Sequence, residues 1–96
     1  MVNLELQIDS KDYKILKNIL SKYPYNFYAY GSRVKGKAKK YSDLDICYYD
    51  IPRKEILDLN QELKDSDLSI IIELVSWNNM RSAFQENIQK DLILIQ

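Results

Sequence analysis

The chain has 96 residues, 46% hydrophobic and 29% charged, and its 14 basic and 14 acidic side chains cancel to zero net charge. Such a length holds one small domain, residues 1–96, with a modest core, and the zero balance argues against a general nucleic-acid binder, which carries a basic surplus. The chain has no histidine, which removes Ser-His-Asp and Cys-His pairs and histidine-ligated zinc, and its single cysteine, Cys47, removes an internal disulfide and multi-cysteine metal sites.

In chain order, the start from Met1 to Gln7 lacks the basic-then-apolar pattern of a secretory signal. Ser10 to Tyr23 reads as an amphipathic helix, with Tyr13, Leu16, Leu20 and Tyr23 on one face, Ser10 as N-cap, Asp12 at the positive end and Pro24 as the stop. Tyr25 to Tyr30 reads as a strand running into Gly31, and Leu44 to Tyr49 as a second strand ended before Pro52. A second helix is expected from Arg53 to Leu63. The apolar, β-branched run Leu68 to Trp77 is expected as a central strand. Asn78 is then expected to cap a helix carrying Met80, Phe84 and Ile88, and Leu92 to Ile95 fits a last strand. This alternation predicts an α/β fold in which helices pack on a mixed sheet. No segment approaches the roughly 20 apolar residues of a membrane helix, so a soluble cytoplasmic domain is expected.

Both glycines, Gly31 and Gly36, fall in one segment together with Arg33, Lys35, Lys37, Lys39 and Lys40. A tight turn directly after a strand presents backbone N–H groups and the Ser32 hydroxyl to a phosphate, and Arg33 with the lysines adds positive potential for a triphosphate. Taken singly, each lysine also reads as part of a solvated loop. Asp43 and Asp45 follow after Ser42; two residues apart on a strand, they point to one face. Two carboxylates on one face repel unless a cation sits between them, and an oxygen-only pair suits Mg²⁺ bound jointly with phosphate oxygens. Asp-x-Asp is also a frequent turn-capping pattern, which is the bland alternative. Glu73, a lone acid in an apolar strand, is either paired with a cation or turned to solvent on an edge.

Gly31-Ser32, ten further residues and Asp43-Leu44-Asp45 resemble the Gly-Ser-x10-Asp-x-Asp signature of the nucleotidyltransferase superfamily that includes DNA polymerase beta. The run from Gly31 to Ile46 is most similar to the minimal nucleotidyltransferases, small stand-alone prokaryotic domains. The resemblance implies a small nucleotidyltransferase fold. It implies that Gly31, Ser32, Arg33, Gly36 and Ser42 hold a nucleoside triphosphate, and that Asp43 and Asp45 ligate Mg²⁺. Glu73 takes the place of the family's third carboxylate, usually aspartate, which holds the metal and activates the acceptor. Glutamate is one methylene longer, a displacement on the order of 1.5 Å.

The activity so implied is transfer of AMP from ATP to a hydroxyl. A chain of this length lacks the second domain with which larger relatives grasp an acceptor, so the acceptor is expected on a partner. For minimal nucleotidyltransferases that partner is a HEPN-domain toxin, a small helical RNase silenced by adenylylation of a tyrosine; a homo- or hetero-oligomer would follow. The alternative is a non-catalytic module that binds nucleotide or partner and neutralises a toxin by contact alone.

Overall fold

The computed structural model describes residues 6–96; most of the N-terminal run read for a secretory pattern lies outside them. The first helix, α1 (Ser10–Leu20), buries Leu16, Ile19 and Leu20, following the three- and four-residue apolar spacing of the sequence. It is shorter than expected and Asp9, not Ser10, holds the N-cap position, with no side-chain cap bond. Asp12 is buried and does more than complement the helix start. Its Oδ1 accepts the Ser69 N–H (3.0 Å) and its Oδ2 the Ser69 hydroxyl (2.5 Å). These bonds pin the segment that precedes the third strand.

Strand β1 (Tyr28–Tyr30) and strand β2 (Leu44–Tyr48) pair antiparallel, with Tyr28 opposite Cys47 and Tyr30 opposite Asp45. Helix α2 (Arg53–Lys64) carries the chain across to β3 (Ile72–Ser76), which pairs parallel with β2 and sets Asp45 opposite Glu73. A short crossover helix is the connection that parallel neighbours need. Helix α3 (Ser82–Gln89) and the two-residue β4 (Ile93–Leu94) complete the fold. The sheet order is β3-β2-β1-β4. This is the mixed sheet with packed helices that the sequence predicts.

Two further expectations need correction. β3 is an edge strand rather than a central one, and it begins at Ile72, after the segment that Asp12 ties down at Ser69. Asn78 does not cap a helix: Trp77–Asn79 form a 3-10 turn, closed by Met80 N–H to Trp77 O (3.1 Å), and α3 starts three residues later.

The sheet has two unlike faces. On one, Ala29, Leu44, Ile46 and Ile72 join Leu16 and Leu20 of α1 and Leu59 and Leu63 of α2 in the main core. On the other, Tyr30 and Cys47 pack with Ile88 of α3, beside half-buried Tyr28, Trp77 and Met80. Strand alternation puts Asp45 and Glu73 on this second face. Its cover is partial, which leaves the acidic residues open to solvent. Among the described residues no helix is long and apolar enough to cross a membrane.

Candidate active site

β1 is followed directly by Gly31, whose φ of +86° lies in the left-handed region. A Cβ at this position would stand 2.5 Å from Asp45 Oδ2, so only glycine lets the turn pass directly over that carboxylate. The turn is closed by Val34 N–H to Gly31 O (3.1 Å) and Lys37 N–H to Ser32 O (3.0 Å). Among the described residues, no hydrogen bond takes up the Ser32 N–H or hydroxyl. Gly36 also has positive φ, +70°, but nothing lies within 4 Å of a Cβ there. Its glycine is a backbone requirement rather than a close approach.

Arg33 does not face the acidic residues. It is 6% exposed, and its guanidinium donates to the carbonyls of Ser42 (3.0 and 2.8 Å), Gln7 (2.7 Å), Lys40 (3.2 Å) and Lys39 (3.4 Å). Burial and these five bonds make it a strut for the segment that leads into Asp43, in place of the phosphate contact expected from its charge. Ser42 belongs to the same strut: its Oγ accepts the Lys39 N–H at 2.9 Å. Lys37, Lys39 and Lys40 remain exposed, and Lys35 lies 3.8 Å from Asp91 in a solvent-screened pair.

Asp43 is exposed just ahead of β2, Asp45 is half-buried within it, and Glu73 is exposed on β3. Burial, then the charge of Glu73 and a shared hydrogen bond with it, then the charge of Asp43, push the Asp45 carboxyl up to about 6. The sheet register is the cause of this crowding, because it sets Asp45 and Glu73 side by side across one parallel ladder. Tyr30, opposite Asp45 on the other flank, is the residue that sequence reasoning left out. Burial first, then the Asp45, Cys47 and Glu73 charges, raise its hydroxyl to about 12. Strand alternation was the signal that could have found it. Cys47, of the same parity, is buried with its thiol raised to about 11, and behaves as the small hydrophobe expected.

Among the described residues no three such ligands are already gathered as a metal cage. The donor set nevertheless fits Mg²⁺, which takes one or two carboxylates and completes its shell with water and phosphate oxygens. A cation between Asp45 and Glu73 would offset both the burial of the Asp45 charge and its repulsion by Glu73. A cleft of about 560 Å³ lies elsewhere, at the other end of β2 and β3 between Tyr49, Arg53, Leu57 and Asn78. It contains none of the acidic or glycine residues just described.

Residues 14–96 match the family described as polymerase beta, nucleotidyltransferase. The chain is a polymerase beta-like nucleotidyltransferase. It is also 40% identical over 100 residues to the probable protein adenylyltransferase MntA of Haemophilus influenzae, an alignment covering 96% of this chain and 85% of the relative. That likeness places it with the minimal members of the family. For such a nucleotidyltransferase, the nearness of the Gly31 turn to the Asp45–Glu73 pair has a direct chemical sense. It sets backbone donors of the turn close to a carboxylate on one sheet face.

Proposed function

We propose that this nucleotidyltransferase transfers AMP from ATP, with Mg²⁺, to a hydroxyl of a protein partner. The partner class is a HEPN-type helical RNase, the acceptor a tyrosine, and the outcome neutralisation of a toxin in the cytoplasm. The observation that carries this reading is Asp45 lying under the Gly31 turn with Glu73 beside it across the parallel ladder. The name of the Haemophilus influenzae relative supports a protein as acceptor.

In this reading the Gly31-Ser32 turn offers its N–H groups and hydroxyl to the phosphates, and the exposed lysines Lys37 and Lys39 add positive potential. Asp43, Asp45 and Glu73 would hold the metal, which would supply neutralisation of the triphosphate charge. The acceptor oxygen attacks the α-phosphorus in line, its proton passes to the Glu73 carboxylate, and the bond to the bridging oxygen breaks as pyrophosphate leaves. Gly36, Arg33 and Ser42 shape and hold the turn rather than touch the nucleotide.

A cellular test separates catalysis from neutralisation by contact. Asp43→Asn and Asp45→Asn, co-expressed with a HEPN-type toxin, lose protection although the variants are folded and soluble. Protection retained by both would leave the chain a contact-only antitoxin.

A further inference from the structure

The sheet has two edges of very different length. β4 offers two residues, whereas β3 offers the run Ile72-Glu73-Leu74-Val75-Ser76. Leu44 N–H donates to Ile71 O at 2.9 Å, which fixes the phase of the parallel ladder. The backbone groups of Ile71, Glu73 and Val75 are turned to β2, and those of Ile72, Leu74 and Ser76 point out of the sheet. Among the described residues nothing pairs with that outer side. Exposed edges are usually blunted by lysine, proline or shortness. β3 has neither lysine nor proline, and Ile71 just ahead of it is 68% exposed.

We propose that the outer edge of β3 is the acceptor-docking strand: an extended, basic segment of the protein partner pairs with it and sets a hydroxyl side chain beside Glu73. The proposal rests on the protein-acceptor reading above. A strand added there lies about 4.8 Å away, and its residue opposite Glu73 projects from the same face with Cβ atoms roughly 5 Å apart. A hydroxyl on that residue reaches the Glu73 carboxylate and the space over Asp45. Charge selects the occupant. Glu73 is exposed on the strand itself, and Asp65 and Asp67, also exposed, stand shortly before it. A second copy of the chain would bring the same carboxylates and be repelled, whereas lysine- or arginine-flanked segments are attracted.

The test uses the wild-type chain and the peptide Lys-Lys-Val-Thr-Tyr-Thr-Val-Lys-Lys, read by residue-resolved amide exchange and by label from α-labelled ATP with Mg²⁺. At roughly millimolar peptide, the Ile72, Leu74 and Ser76 amides slow by about tenfold or more. An analogue N-methylated at alternate residues, and one with glutamate for lysine, do not produce this. Unchanged exchange at those amides overturns the docking strand, as does equal protection by either analogue. So does protection already present in the free chain that rises with its concentration, which would give the edge to a second copy. The label reads the other claim. Protected amides with an unlabelled tyrosine leave strand pairing at this edge but overturn its role in presenting an acceptor; a labelled tyrosine with unprotected amides keeps the protein-acceptor reading and overturns the docking strand.

Discussion

Asp45 takes up a proton more readily in the folded chain than in the unfolded one, because burial and the neighbouring Glu73 and Asp43 charges lift it from 3.8 to about 6. Between those values the folded state holds more protons, so stability from this group falls as pH rises through the window and the cost is full above about pH 6. Without divalent cation, Asp45→Asn therefore raises thermal stability at pH 7, by about 1 kcal/mol after allowance for partial solvent exposure. It flattens the difference between melts at pH 5 and pH 7. Mg²⁺ has the same sign of effect by another route: in a carboxylate NMR titration it moves the Asp45 midpoint down from about 6. Gly31→Ala tests the other half of the site. The added methyl meets Asp45 Oδ2 at 2.5 Å in a left-handed backbone, so this variant loses about 1–3 kcal/mol in denaturant unfolding and its nucleotidyl transfer with it.

The strut made by Arg33 belongs to the element scale, since it joins the Gly31–Gly36 turn to the segment entering β2. Arg33→Met leaves the carbonyls of Gln7, Lys40 and Ser42 without their donor, and is expected to cost about 1–3 kcal/mol and raise KM for ATP. Lys at this position restores it only partly, because one ammonium cannot span what the planar fork spans. The strut also shows what a sequence hides. The charge of Arg33 was visible among five basic residues, but its burial depends on where Gln7 and Ser42 come to lie. Helices α1 and α2 were legible because their apolar residues recur at helical spacing over whole turns. The true start of β3 was not, because the tie from Asp12 to Ser69 joins residues far apart in the chain. The start of α3 was obscured by a 3-10 turn held by Gln85 Nε2 on Trp77 O (2.8 Å). In the candidate site, the local spacing from Gly31 to Asp45 could be read directly. The crowding of Asp45 by Glu73 could not, since it follows from which strands are neighbours and in what register.

At the scale of the molecule, one sheet separates stability from chemistry. The face under α1 and α2 carries the main core, and the face under α3 carries the acidic residues with a thinner apolar cover. A chain of this length is stable by roughly 5–14 kcal/mol. Leu59→Ala, in the core face and fully buried, is thus expected to cost about 2–5 kcal/mol without altering Asp45 or Glu73. Chemical denaturation checks the first part, and transfer rates measured at low temperature, where the variant is folded, check the second. The β2–α2–β3 crossover is what brings the two functions together, because it lays Glu73 beside Asp45 while α2 closes the core behind them. The measurement that bears most directly on the Asp45–Glu73 centre is transfer of label from α-labelled ATP, with Mg²⁺, to a purified HEPN-type partner by wild type, Asp45→Asn and Glu73→Gln. Labelled partner is expected with the wild type, and a loss of about 100-fold or more in each variant, both still folded. Undiminished transfer by either variant, or no label from a wild type that co-elutes with the partner, would contradict a catalytic role for this pair.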